Sequence, residues 1–113
     1  MIDRWGRVYG CVEPVDMRKS FDGLIGSVRQ LLKGDPLSGD LFVFINRERT
    51  ILKCLWWDRT GWCVLGKRVS RASFQLRGKE LRQELTAQEF YLLLDGMLKK
   101  KVQFSENRTI ATV

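Results

Sequence analysis

Apolar residues at Phe21, Leu24, Ile25, Val28, Leu31 and Leu32 recur at the offsets of one helical face. This spacing predicts a helix over Met17–Lys33 with Phe21 and Leu24 in the core. Pro14 and Asp16 stop an extended segment ahead of it, and Asp16 or Ser20 can accept a hydrogen bond from the first free helical N–H groups. Asp22 suits the positive end of the helix dipole, and Gly34 followed by Asp35 and Pro36 closes the run.

A different period governs the middle of the chain. Trp5–Val12 alternates loosely with β-formers at Trp5, Val8, Tyr9 and Val12, which predicts a first strand. Leu41–Ile45 is a continuous apolar run, short enough for a strand covered on both faces. The polar cluster Asn46–Thr50 reads as a hairpin connection with Ile51–Trp57 as the return strand, and Asp58–Gly61 as a second turn leading into Trp62–Val69. Alternation along this third strand puts Lys67 and Arg68 on opposite faces. Phe74–Leu76 is expected to add a short edge strand before a charged connection.

The last helix, predicted over Ala87–Lys99, has the clearest local signal. Thr86 and Glu89 have capping-box spacing, and Leu85 and Phe90 are placed for a hydrophobic staple. Phe90, Leu93, Leu94, Met97 and Leu98 form the buried stripe, and Lys99–Lys101 fall where the dipole is negative. The expected architecture is therefore α+β, an antiparallel β-meander of about four strands packed by two α-helices. Residues 1–101 form one domain in this reading, and residues 102–113 a flexible C-terminal tail.

Composition narrows the chemistry. At 113 residues and 44% hydrophobic, the chain suits a single core. No apolar run is long enough to cross a bilayer and the N-terminus lacks the apolar block of a secretory signal, so a soluble, cytoplasmic protein is expected. Cys11, Cys54 and Cys63 are odd in number and widely spaced, which fits a reducing compartment rather than a disulfide framework. With no histidine and no paired cysteines, no metal site or cofactor is expected.

The formal charge is +7, with nine basic against seven acidic residues up to Trp56 and eleven against six from Trp57 onward. Lys67, Arg68, Arg71, Arg77, Lys79 and Arg82 have only Glu80 as opposing charge within their stretch, making them the candidate nucleic-acid contacts. Arg18 and Lys19 sit unfavourably at a helix start, which suggests a partner such as Asp22, Asp58 or an acidic ligand. Asp16, Arg18, Lys19 and Trp57 are accordingly candidate motif or partner residues. Trp56 and Trp57 could offer a stacking surface, but adjacent strand positions face opposite ways; the competing role is packing, one in the core beneath the first helix and one over the sheet edge. Asp16, Asp22 and Asp58 each have a local role as cap, first-turn charge or turn residue. No catalytic constellation can be assembled from them.

The phrase from Val15 to Leu24 followed by Asp35–Phe44 resembles the small accessory protein encoded beside the transposase in the IS66 class of bacterial insertion sequences, the TnpB-type or Orf2-like family. The likeness continues through Asn46-Arg47, Ile51–Asp58, Gly61-Trp62, Lys67–Val69, Phe74, Leu85–Gln88 and Leu92–Gly96, and extends to Met97. Two departures stand out: Gln75–Arg77 replaces an aromatic-proline pair, and Lys99–Val113 has no counterpart. The resemblance implies a transposition context and a separate transposase as partner. Together with the charge pattern it gives, as the leading expectation, a non-enzymatic accessory factor that binds DNA, the transposase or both. The rival is a pure protein-interaction module without DNA affinity, and a third reading is a metal-dependent nuclease-like enzyme using Asp16 and Asp58.

Overall fold

The computed structural model describes residues 5–96. The order along the chain is β1 (Val8–Cys11), α1 (Phe21–Gln30), β2 (Leu41–Ile45), β3 (Ile51–Trp57), β4 (Trp62–Arg68), β5 (Arg82–Leu85) and α2 (Ala87–Leu94). The five strands form one sheet in the order β4-β3-β2-β1-β5. The α+β class and the β2-β3-β4 meander are as expected, and so is the central position of Leu41–Ile45, every residue of which is buried. Between β1 and β2 the arrangement differs from a simple meander. These strands are parallel, with Val8 opposite Leu41 and Gly10 opposite Val43, because α1 lies between them as a crossover.

The sheet is the middle of three layers. On one face Tyr9, Cys11, Phe42, Phe44, Leu55 and Val64 meet Leu24, Val28 and Leu32 of the α1 region. On the other, Val8, Val43, Ile45, Leu52 and Cys54 meet Phe90 and Leu93 of α2 together with Phe74 and Leu76. Phe74 and Leu76 are thus core plugs rather than the expected edge strand. The outer edge of β1 is taken instead by β5, paired antiparallel with Cys11 opposite Arg82 and Val8 opposite Leu85. Gly10 leaves the room that Leu76 fills over β1, since a Cβ there would come 2.5 Å from Cδ2 of Leu76.

Both helices are shorter than their stripes. Ser20 occupies the N-cap of α1 but its side chain accepts no capping bond. Lys33 takes a left-handed φ of 53°, so the chain has turned away before Gly34. Phe21, expected in the core, is 43% exposed at the first residue of α1, while Leu24 is fully buried. In α2 both bonds of the Thr86–Glu89 capping box are formed. The helix ends at Leu94 rather than Lys99: Gly96 is left-handed at φ 72°, and a Cβ there would lie 2.7 Å from Ala72. Met97, Leu98, Lys99–Lys101 and the expected tail at 102–113 lie outside the described residues. Among those described, no helix is long and apolar enough to cross a membrane.

Candidate functional site

Strand register decides which distant residues meet. Cys11 of β1, Ile45 of β2, Ile51 of β3, Arg68 of β4 and Arg82 of β5 all mark one end of the sheet. The connections at this end are the loop from Val12 to Ser20, the β2–β3 turn and the strap from Val69 to Leu81. The strap is tied down where Val69 N–H donates to Thr50 O (2.9 Å), Phe74 N–H to Arg49 O (2.8 Å) and Val12 N–H to Leu81 O (2.9 Å). Arg18, Arg47, Arg49, Arg68, Arg71, Arg77, Lys79 and Arg82, scattered along the sequence, therefore surround one end of the molecule. That end also carries Glu13, Asp16, Glu48 and Glu80, so these eight cations face four carboxylates, while the other end sets Arg7, Lys33 and Arg59 against Asp35, Asp40, Asp58 and Glu89.

A cleft of about 650 Å³ opens within the cationic end, between the Pro14–Arg18 loop and the β2–β3 turn, with Arg68 on its wall. Three interactions build it. Val15 N–H donates to Ile45 O at 3.0 Å, continuing the β1–β2 pairing past Cys11. The Lys53 ammonium, on the α1 face of β3, donates to the carbonyls of Met17 (2.8 Å) and Lys19 (3.1 Å) and so holds the loop against the sheet. Asn46, buried at the turn, accepts at Oδ1 from the N–H groups of Thr50 and Ile51, both at 2.9 Å, and donates from Nδ2 to Glu48 and Thr50.

The partner of Arg18 is Asp16, rather than Asp22 or Asp58. Arg18 Nε and Nη2 donate to its carboxylate, at 2.6 Å for Nη2, and the Arg18 backbone N–H donates to Oδ1 at 2.9 Å. These bonds from the Arg18 side chain and backbone hold the Asp16 carboxyl well below its ordinary value of 3.8, at about 2. Asp16 thus serves Arg18 rather than capping α1. A depressed carboxyl pKa favours the folded state fully above the unfolded value, and that contribution disappears as pH falls through the folded one. The pair is expected to persist from neutrality to near pH 4 and to break between there and pH 2. The Asp16 carboxyl carbon shift in an NMR titration reads this directly, and a midpoint at an ordinary aspartate value would refute the pairing.

Of the other residues singled out in the sequence, some join this site and some do not. Asp16, Arg18 and Arg68 line the cleft, and Lys19 lies beside it. Arg71, Arg77, Lys79 and Arg82 follow the strap along the same end; Arg77 donates to Gln75 Oε1, and the Arg82 guanidinium lies 4.8 Å from the Tyr9 ring centroid. Lys67 faces the α2 side, where its ammonium donates to Leu94 O at the negative end of that helix. Trp57 lies at the opposite end of the sheet with its ring 5.1 Å from that of Trp62. Trp56 packs on the α2 face, edge-on to Trp5, not beneath α1. The sequence reading missed Arg47, Glu48 and Asn46 as a cleft wall. The available signal was an asparagine at the start of a hairpin turn, where its amide can bond the backbone beyond.

Asp58 is held by the Thr60 N–H and hydroxyl, which lower its pKa, in the β3–β4 turn. All of β3 separates that turn from Asp16, about 20 Å at the rise of a strand. The two carboxylates cannot share one metal ion. Burial pushes the Cys11 thiol to about 11 and Cys54 to about 12, so neither is a ready thiolate. Among the described residues no group of three or more His, Cys, Asp or Glu could hold a metal ion.

No solved structure matches the chain. Two proteins of Sinorhizobium fredii (strain NBRC 101917 / NGR234) are similar in sequence. "Uncharacterized protein y4jC" is 32% identical over 92 residues, covering 80% of this chain and 79% of that protein. "Uncharacterized protein y4hO" is 41% identical over 68 residues, or 60% of this chain and 59% of that protein. The model of the family described as "IS66 Orf2 like protein" matches residues 6–104, and so continues beyond Met97, where the resemblance read from motifs ended. The chain belongs to the IS66 Orf2-like family, whose role is that of an accessory protein in insertion-sequence transposition.

Proposed function

We propose that this chain is a non-enzymatic transposition factor that binds DNA through the cationic end of its sheet. The observation that carries the reading is topological: separate stretches of sequence converge to gather arginine and lysine side chains at one end, where they can neutralise successive phosphates. Arg71 and Lys79 are exposed on the strap and carry no hydrogen bond needed by the fold, which suits phosphate contact. Reversing both to Glu is expected to weaken binding to every duplex sequence alike, by roughly tenfold or more at low salt, and to reduce the salt slope by about 1 for each phosphate no longer neutralised. Titration of labelled duplexes at two salt concentrations checks this. An unchanged affinity and slope would remove the strap from the interface.

A second reading has its own support. Leu65 (44% exposed) and Tyr91 (48% exposed) adjoin Trp56 and Leu94 on the α2 face, an apolar surface suited to a protein partner such as the transposase. Transposase capture that survives reversal of Arg71 and Lys79 would favour this surface as the protein contact.

A further inference from the structure

The cleft differs from the rest of the cationic end in shape and in lining. Its volume lies within the range of small-molecule pockets and exceeds what one phosphate group fills. A base still stacked and paired in a duplex presents only its edge, whereas a nucleotide out of the stack can offer a recess its face and its phosphate together. Arg18, Arg47 and Arg68 stand on its walls, and Val15, Met17 and Ile51 supply aliphatic surface between them.

That combination suits the two halves of a nucleotide. Guanidinium groups recognise phosphate through paired charge-assisted bonds, and both their planes and aliphatic carbons can cover the face of an unstacked base. Asp16 and Glu48 also border the cleft, so three cations face two carboxylates and one positive charge remains in excess. Asp16 is committed to Nε and Nη2 of Arg18, while Glu48 accepts from Asn46 Nδ2. Nη1 of Arg18 has no partner among the described residues, and the Arg18 side chain is 91% exposed. Arg47 and Arg68 are exposed and make no ion pair among the described residues.

We infer that the cleft takes a single unpaired nucleotide of a DNA strand, with its phosphate on Arg18, Arg47 and Arg68 and its base against Met17 and Ile51. The strap would meanwhile lie along the adjoining duplex. This inference rests on the DNA-binding reading and assigns the cleft a separate task within it.

The test compares a blunt duplex with the same duplex extended by a short unpaired end, both at one salt concentration. The extended duplex is expected to bind roughly tenfold more tightly, the worth of one charge-assisted contact. Arg47→Ala should erase that advantage, weakening the extended duplex roughly tenfold more than the blunt one, because the blunt duplex loses at most one of several phosphate contacts at this end. Met17→Gln should reduce the advantage as well. A deoxynucleoside 5′-monophosphate should shift the backbone amide resonances of Met17, Arg47 and Ile51, with inorganic phosphate leaving Ile51 unmoved. Equal affinity for the two duplexes, or an advantage that survives both substitutions, overturns the nucleotide site while leaving the DNA reading intact. Identical shifts with inorganic phosphate would likewise overturn it, as would displacement of the nucleotide by an acidic peptide at equal charge concentration. Binding to neither duplex would sink both readings.

Discussion

Leu24→Ala is expected to lower the free energy of unfolding by about 2–5 kcal/mol, whereas Phe21→Ala, three residues earlier on the same stripe, should lower it by about 1 kcal/mol or less. Leu24 is fully buried against Val28, Leu32, Phe42 and Phe44, so its truncation leaves a cavity at the junction of helix and sheet. Phe21 keeps 43% of its surface in solvent, so its truncation opens no enclosed cavity. The helix cannot compensate by its own stability. It has only ten residues, too few to persist alone, and contains Gly23 and Gly26, each costing up to about 1 kcal/mol relative to alanine. Urea denaturation with an unchanged slope would report the loss as stability rather than as a change in the unfolded chain. A cost for Leu24→Ala similar to that for Phe21→Ala would mean that α1 is not docked as described.

Asn46→Ala should cost about 2–4 kcal/mol, unusually much for a turn residue, because it strands two backbone donors at once. The N–H groups of Thr50 and Ile51 both point to Asn46 Oδ1, and the Asn46 backbone N–H itself donates to Ile51 O at 3.1 Å. Arg49 is already in the left-handed region at φ 64°, so the turn has little freedom to find other acceptors. Asn46→Asp retains the Oδ1 that accepts both bonds but sets a carboxylate beside Glu48, whose Oε1 lies 3.2 Å from Nδ2 in the native turn. Combining Asn46→Asp with Glu48→Gln should therefore recover most of the stability lost in Asn46→Ala. Thermal melts of the three variants decide this, and a loss below about 0.5 kcal/mol for Asn46→Ala would show the turn to be held by other means.

What was legible in the sequence is what is local. Thr86 and Glu89 lie within one turn of each other, so their reciprocal bonds depend on nothing distant. Leu41–Ile45 announces cover on both faces simply by lacking a polar position. β5 was not legible, since Arg82, Gln83 and Glu84 are poor β-formers and owe their conformation to pairing with β1. The parallel β1–β2 pair had a signal that the meander reading passed over: a strand, a helix and a strand in succession imply a crossover. Half of the cleft was visible in the unfavourable placement of Arg18 and Lys19 at a helix start, although Asp16 read there as a cap and Arg68 only as one of a basic stretch. Its other half required knowing that Ile51 stands opposite Arg68, a register that hydrophobic alternation alone does not supply.

The insertion of β1 between β2 and β5 has a kinetic consequence. The β2-β3-β4 meander closes through short loops, while β1 must find β2 across the whole α1 crossover and β5 must then return to β1 from the far end of the chain. Loop-closure entropy delays such remote pairings relative to adjacent hairpins. The β2–β3 turn and Arg68 can thus reach their final arrangement on a hairpin template, yet the opposing wall from Pro14 to Arg18 arrives only when β1 has docked. Completion of the cleft is in this sense expected to wait for the docking of β1 rather than to belong to any one segment, and a chain caught with β1 undocked would carry its charges without the recess between them.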